Sequence, residues 1–265
     1  MRCRLDLSYD GTDFSGWATQ PGRRSVQAVL EHALATVLRV PVVRVTVAGR
    51  TDAGVHATGQ VCSADVPELP ERRRLNGVLP ADVRVRDVRA VPLGFDARFS
   101  ALRRAYLYRL TDAVPDPLRR RDTVAWPRPL DADRMTAAAQ VLLGEHDFAA
   151  FCRRRPAATT VRTLRRLDVT RTGELVQLAV EADAFCHSMV RSLVGALLAV
   201  GDGRRPVGFP AEVLGGSERD GRVTVAGARG LCLVRVDYPE TDEALRARQA
   251  ETRRVRVPGG VGPGT

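Results

Sequence analysis

The chain has 265 residues, of which 44% are hydrophobic and 27% charged, and its formal net charge is +10. No apolar run approaches the ~18 residues of a membrane span, and the alternating N-terminus lacks an export signal, so we expect a cytoplasmic protein without a membrane segment. All 41 basic residues are arginine. The positive charge favours a polyanionic partner, nucleic acid first, with a dispersed solvated surface as the alternative.

The five cysteines are odd in number, widely spaced and never arranged as C-x-x-C: Cys3, Cys62, Cys152, Cys186 and Cys232. This pattern argues against a disulfide framework or a zinc site and fits a reducing compartment. The four histidines are equally scattered. The sequence therefore predicts no metal.

Alternation with period two predicts strands, and apolar spacing of 3.6 residues predicts helices. The first half is predicted to contain strand 2–9, helix 26–39 capped by Ser25, strands 42–48 and 59–64, helix 71–79 and strand 83–91. The second half is predicted to contain strand 102–110, an exposed proline-rich connection 115–129, helix 131–143, strands 161–170 and 175–182, helix 186–200 and strand 231–237.

The order strand, helix, strand, strand occurs in both halves. We therefore predict an α+β protein of two similar domains, 1–100 and 101–240, each a mostly antiparallel sheet with helices on one face. Residues 241–265 are polar, rich in arginine and end in glycine and proline, which predicts a disordered tail.

A tight turn between two predicted strands carries a charged pair, Arg50 and Asp52, bounded by Gly49 and Gly54. Glycine gives the backbone conformational freedom, and rigid loops often carry functional groups. The alternative is a polar β-hairpin with an incidental ion pair. Gly49 and Gly54 have the outer spacing of a phosphate-binding loop, but Val55 and His56 occupy the positions where that motif requires Lys and Ser or Thr.

A carboxylate beside a guanidinium is favoured in its ionised form, so Asp52 is a possible nucleophile or base with Arg50 as its partner. Two other stretches hold possible partners. Tyr106 and Tyr108 lie at i, i+2 on one face of a strand, behind the basic pair Arg103 and Arg104. One ring could stack on a nucleobase while the arginines bind phosphates; the alternative is a pair of tyrosines that face the core.

His187 and Arg191 lie at i, i+4 on the flank of a predicted apolar helix. An arginine buried there would require an anion, and Asp52 is one possibility. A surface arginine with a buried stem is the other interpretation.

The segment Ala48 to His56, together with Thr58 to Val61, resembles the signature of the TruA-type tRNA pseudouridine synthase family. The resemblance extends in order from about residue 3 to 240. Further matching segments are Tyr9 to Trp17, Arg24 to Gln27, Asn76 to Pro80, Phe95 to Ser100, Leu142 to Phe148, Phe185 to Arg191, and Gly230 to Pro239.

This resemblance implies a cofactor-independent enzyme that isomerises uridine to pseudouridine at positions 38 to 40 of tRNA, in the anticodon stem-loop. It implies that Asp52 is the catalytic aspartate, Arg50 its paired arginine, Tyr106 the ring that stacks on the target base, and Arg191 a second arginine near the aspartate. It also implies a homodimer, and a basic active-site cleft between two sheet-centred domains.

Two positions depart from the family pattern. Ala105 precedes Tyr106 where a basic residue is usual, and Cys232 replaces a common aromatic residue. The alternatives are a non-catalytic RNA-binding protein with RRM-like sheets, a pseudouridine synthase acting on another RNA, and, more distantly, a small hydrolase. The first of these would have no use for Asp52, because a carboxylate in a cationic groove weakens phosphate binding.

Overall fold

The computed structural model describes residues 1–153 and 159–253. In chain order the elements are β1 (Arg2–Tyr9), α1 (Val26–Leu38), β2 (Val45–Val47), β3 (His56–Asp65), α2 (Arg72–Val78), β4 (Val83–Val91), β5 (Arg103–Thr111), β6 (Val124–Ala125), α3 (Ala132–Ala139), β7 (Gly144–Asp147), β8 (Val161–Thr172), β9 (Leu175–Ala182), α4 (Met189–Gly201), α5 (Phe209–Leu214), β10 (Leu231–Asp237) and α6 (Asp242–Arg253). The predicted α+β class is confirmed. Within the described ranges, no helix is both long enough and apolar enough to cross a membrane.

The described chain divides into two compact units. The first combines Met1–Arg104 with Leu231–Arg253, and the second is Ala105–Gly230. The sequence placed residues 101–240 together in a second domain. The chain from Leu231 onward belongs instead to the first unit, because β10 pairs in parallel with the start of β3.

In the first unit, β1 lies between β4 and β3 and is antiparallel to both. β2 is antiparallel to β3, whereas β10 is parallel to it. The strict alternation of β1 places Cys3, Leu5, Leu7 and Tyr9 in the core, as the sequence pattern requires. β2 and β3 therefore present the residues between them as a loop at one end of this sheet.

The helix α1 is fastened to β2, the strand that leads into this loop. Its N-cap Ser25 accepts a hydrogen bond from the Ala28 amide, as predicted. On the same helix the buried carboxylate of Glu31 accepts from the Val45 amide at 3.1 Å and from Arg44 at 3.0 Å. A buried carboxylate is tolerated here because both of its oxygens have donors.

In the second unit the strand order is β5, β9, β8, β7, with the short β6 parallel to β5. The pairs β7–β8 and β8–β9 are antiparallel. α3 packs on β8 and on α4, which is buried around most of its circumference. An apolar helix of this kind forms the centre of the unit rather than a surface face.

An ion pair joins the end of β8 to the residue that directly follows β5. Arg171 donates two hydrogen bonds to Asp112, at 2.9 and 2.7 Å, and a third to the Leu130 carbonyl at 2.8 Å. Asp112 also accepts from the Leu130 amide. The hydrogen bonds from Arg171 lower the pKa of the Asp112 carboxyl below its ordinary value.

We expect the Asp112→Asn variant to be less stable at neutral pH, by about 1–2 kcal/mol, because a charge-assisted bidentate pair is lost. Since the folded-state pKa is lowered, this stabilisation is present above the unfolded-state value of about 4 and disappears as the pH falls through the folded-state value. Unfolding measured at pH 7 and near pH 3 should show the difference between the proteins shrinking on acidification. An unchanged difference would contradict this assignment.

The predicted disordered tail is wrong for its first part, because residues 242–253 form α6. Two side chains tie this helix to the first unit: Arg248 donates to the Ala101 carbonyl at 3.1 Å, and Gln249 donates to Ser100 Oγ at 2.9 Å. Polar composition concealed the helix, because it buries a single leucine, Leu245, and has no apolar stripe. The remainder of the predicted tail lies outside the described residues.

Candidate active site

The loop between β2 and β3 carries Arg50 and Asp52 and is held against residues 10–17, the segment that follows β1. The Trp17 amide donates to the Thr51 carbonyl at 3.0 Å, and the Gly54 amide donates to the Phe14 carbonyl at 3.3 Å. Within the loop, the Val55 amide donates to the Asp52 carbonyl at 3.2 Å. These main-chain bonds fix the backbone on both sides of Asp52.

The close approach of the two segments requires glycine at position 16. Its φ is +95°, and a Cβ built there would lie 2.9 Å from the Thr51 carbonyl oxygen. Gly11 has a similar role, because a Cβ there would overlap the Val55 carbonyl. Beside it, the Gly11 amide donates to His56 Nδ1 at 3.0 Å. The sequence showed these glycines only as loop residues.

We expect the Gly16→Ala variant to lose about 1–3 kcal/mol of stability, because alanine is strained at this φ. The added methyl group should also displace the main chain at Thr51 and lower the turnover rate. Thermal unfolding and turnover measured together test this. Gly22→Ala is the matched control, since Gly22 also has positive φ, +67°, but nothing lies within 4 Å of its Cβ position. Gly22→Ala should lose stability but keep the wild-type turnover rate. Equal turnover rates in Gly16→Ala and Gly22→Ala would show that the contact with Thr51 does not affect the reaction.

A buried arginine anchors the first residue of the loop. Arg104 is 6% exposed, and its guanidinium donates to the Ala48 carbonyl at 2.9 and 3.3 Å and to the Arg98 carbonyl at 2.7 Å. Carbonyl oxygens satisfy part of its donor capacity, which is necessary for a buried cation. The sequence placed Arg104 in a basic pair for phosphates. The structure shows instead that it supports the loop.

Asp52 is half-buried, whereas Arg50 is exposed. The sequence predicted that Arg50 and Asp52 form a close pair, and this pairing stays a prediction. An exposed guanidinium keeps its hydration, and a surface ion pair contributes only about 0–1 kcal/mol, which is too little to impose one geometry on a long side chain.

Tyr106 lies in the second unit, on the face of β5 that also carries Tyr108, as the i, i+2 spacing predicted. The Tyr106 ring is 9% exposed and meets Phe185 edge to face, with centroids 5.2 Å apart. Tyr108 is fully buried and donates to the Gly227 carbonyl at 2.9 Å, and burial raises the pKa of its phenol. Tyr108 is therefore a core residue.

Arg191 is in the first turn of α4 and is half-buried. Its Nε donates to the Ala226 carbonyl at 2.7 Å, and its own carbonyl accepts from the Ala226 amide at 3.0 Å. The helix was predicted to begin at 186, with His187 on the same flank. It begins at Met189 instead, because Ser188 has a left-handed backbone with φ of 65° and ends the preceding turn.

Cys152 and Cys186 form a disulfide with their Cα atoms 5.8 Å apart, whereas the sequence pattern argued against a disulfide framework. The sequence separation of 34 residues gave no sign of this pair. The fold brings the two segments together, and the Arg153 amide donates to the His187 carbonyl at 3.0 Å beside them. Cys3, Cys62 and Cys232 are buried and are not part of a disulfide.

A family model described as tRNA pseudouridine synthase matches residues 7–100 and 138–239. The chain belongs to this family. It is thus an isomerase that forms pseudouridine in tRNA. Both matched ranges include site residues: the first covers Arg50 and Asp52, and the second covers Arg191. Tyr106 lies between the matched ranges.

Curated relatives match along almost the whole chain. A tRNA pseudouridine synthase A from Frankia casuarinae is 63% identical over 97% of this chain and 96% of its own length. Proteins of the same name from Corynebacterium glutamicum and Mycobacterium leprae are 54% and 52% identical, each over 97% of this chain and at least 95% of their own length. The family's members thus share both units.

Proposed function

We propose that Asp52 is the residue that starts the isomerisation of uridine. The observation that carries the proposal is the fixed loop: main-chain bonds from residues 10–17 hold the backbone on both sides of a half-buried carboxylate. A reacting group must be held in place before the substrate arrives, because misplacement by about 1 Å can lower a rate about 100-fold. A turn without a function has no such requirement.

The reaction breaks the N1–C1′ glycosidic bond and forms a C5–C1′ bond, after which the C5 hydrogen leaves as a proton and N1 gains one. Asp52 begins it either by adding covalently to the sugar or the base, or by removing a sugar proton to give a glycal. In each route the detached uracil rotates before it is rejoined. The protein must therefore hold the free base during the rotation.

Tyr106 is proposed to hold the base. Extracting a uridine from a stacked stem costs a few kcal/mol, and stacking on an aromatic ring returns about 1–3 kcal/mol. We also propose that Arg50 pairs with Asp52 when RNA covers the loop, since excluding water strengthens a charge pair. Arg191 is proposed to bind the substrate.

The proposed targets are uridines at positions 38, 39 and 40 of the tRNA anticodon stem-loop. The test is release of tritium to water from a tRNA transcript labelled at uridine C5, with no cofactor added. The matched substrate has other bases at positions 38 to 40, with compensating changes that keep the stem paired. Release from the first transcript alone supports the proposal, and equal release from both would place the reaction elsewhere in the tRNA.

We further propose a cytoplasmic homodimer that binds tRNA through its positive charge. The net charge of +10 supports a polyanionic ligand, and the dimer rests on the resemblance of the sequence to the family. Sedimentation equilibrium should give twice the chain mass of 28.9 kDa. A monomer mass at micromolar concentration would contradict the dimer without affecting the assignment of Asp52.

A further inference from the structure

The side chains of Tyr9, Thr51 and Gln60 form a buried hydrogen-bond network beneath the Asp52 loop. Gln60 Nε2 donates to the Tyr9 hydroxyl at 3.1 Å and to the Gly49 carbonyl at 2.8 Å. The Tyr9 hydroxyl and Thr51 Oγ1 are 2.8 Å apart. This hydrogen-bond network therefore contacts the loop at two residues, Gly49 and Thr51. They flank Arg50, and Thr51 directly precedes Asp52.

The network is buried, and each of its hydrogen bonds joins a donor to an acceptor. Gln60, Tyr9 and Thr51 are 0%, 4% and 7% exposed. Hydrogen bonds at both atoms fix the orientation of the Gln60 side-chain amide. Its oxygen accepts from the Val61 amide at 3.2 Å, and its nitrogen donates to two acceptors. Because the Tyr9 oxygen accepts from Gln60, its own hydrogen is available for Thr51. A buried network with its groups paired is rigid.

The polar groups of these three side chains are not needed to fill the core. An apolar residue on the buried face of β1 or β3 would avoid the cost of burying a polar group, which is about 1–3 kcal/mol when that group is unpaired. The hydroxyl and amide groups restrict the position of the loop, because a hydrogen bond has a preferred distance and angle whereas an apolar contact has neither.

We propose that Tyr9, Thr51 and Gln60 are positioning residues for the isomerisation, which act by holding the backbone of the Asp52 loop in its reactive geometry. This inference rests on the proposed role of Asp52. Thr51 is fixed twice, by its side chain through Tyr9 and by its carbonyl through the Trp17 amide. Because Asp52 is the next residue, a shift at Thr51 moves the reacting carboxylate directly.

The decisive comparison is made at one position. Thr51→Val keeps the shape of the side chain but removes the hydroxyl, whereas Thr51→Ser keeps the hydroxyl. The rate at saturating tRNA should fall by on the order of 10- to 100-fold in Thr51→Val and stay within about threefold of wild type in Thr51→Ser. Single-turnover rates, tRNA affinity and thermal unfolding are measured for each protein. Affinity for tRNA should change less than about threefold, since the three side chains are buried.

Tyr9→Phe should have a loss similar to that of Thr51→Val, and the double variant should lose no more than the larger single loss, because both changes break the same hydrogen bond. Gln60→Met, which removes the bonds to Tyr9 and Gly49 together, should have the largest loss of rate. The matched control is Tyr238→Phe, which removes a tyrosine hydrogen bond of the same unit, to the Ala97 carbonyl at 2.7 Å. It should keep the wild-type rate.

Losses of rate in Tyr9→Phe and Thr51→Val, with affinity kept and activity restored by serine, support the proposal. Rates within twofold of wild type in both variants would overturn it. So would additive losses in the double variant, or a loss of rate in Tyr238→Phe as large as that in Tyr9→Phe. Asp52→Ala is run in parallel: if that variant still turns over, the proposed function of Asp52 itself fails, whatever the network variants do.

Discussion

Asp52→Asn is expected to fold, to bind tRNA as the wild type does, and to lose at least about 1,000-fold in turnover. The amide has nearly the same shape as the carboxylate, so the loop contacts of residues 49–55 should persist. It is a poor nucleophile and does not accept a proton at neutral pH, so every route that begins at Asp52 is blocked. Tritium release under single-turnover conditions, together with filter-binding affinity, separates chemistry from binding.

The matched control for this variant is Asp87→Asn. Asp87 also lies in the first unit, where it pairs with Arg89 at 2.6 Å on the exposed side of β4. The control loses one negative charge from the same unit and should keep the wild-type rate, because surface pairs contribute about 0–1 kcal/mol. Turnover by Asp52→Asn within tenfold of wild type would remove Asp52 from the mechanism.

Tyr106→Ala is expected to lower turnover by on the order of 10- to 100-fold, because it removes a stacking surface worth about 1–3 kcal/mol. Tyr106→Phe keeps the ring and its edge-to-face contact with Phe185, and tests the hydroxyl alone. Phenylalanine should restore most of the rate if the ring only holds the base. A loss in Tyr106→Phe as large as that in Tyr106→Ala would show instead that the hydroxyl takes part, for example in removing the C5 proton.

A further measurement distinguishes stacking from a structural role for this ring. Phe185→Leu removes the edge-to-face neighbour of Tyr106 but leaves the tyrosine ring for the base, so a modest loss of rate is expected. Thermal unfolding of all three variants shows how much of each loss of rate comes from lost packing and lower stability. If Tyr106→Ala loses rate only in proportion to its loss of folded protein, the ring is a core residue and not a base platform.

The sequence predicted those parts of the fold that depend on local pattern. β1 and α1 follow from clean periods of two and 3.6 residues, and α1 also has its Ser25 cap. β7 and α5 were missed because four and six residues are too short to show a period. The start of α4 was misplaced, because one left-handed residue, Ser188, is not visible in an apolar pattern.

For the site, the sequence predicted that Asp52 lies on a glycine-bounded loop, and the family resemblance supplied its expected role. The supports of that loop could not be predicted. Arg104 is distant from Asp52 in sequence. Gln60 is close in sequence, but it lies in a predicted strand, and polar residues in strand patterns are usually assigned to the solvent face. One signal was available in the sequence: a polar residue at a position that the strand alternation assigns to the core. Gln60 is such a residue.

The first unit is closed by the last strand of the described residues. β10 pairs with His56 and Ala57 at the exit of the Asp52 loop, yet it is synthesised only after the whole second unit. Domains usually fold in order as they emerge, but this one cannot be completed in that order. The site therefore matures late: a translation product that ends before Leu231 carries Asp52 on an unfinished sheet, and we expect it to be inactive.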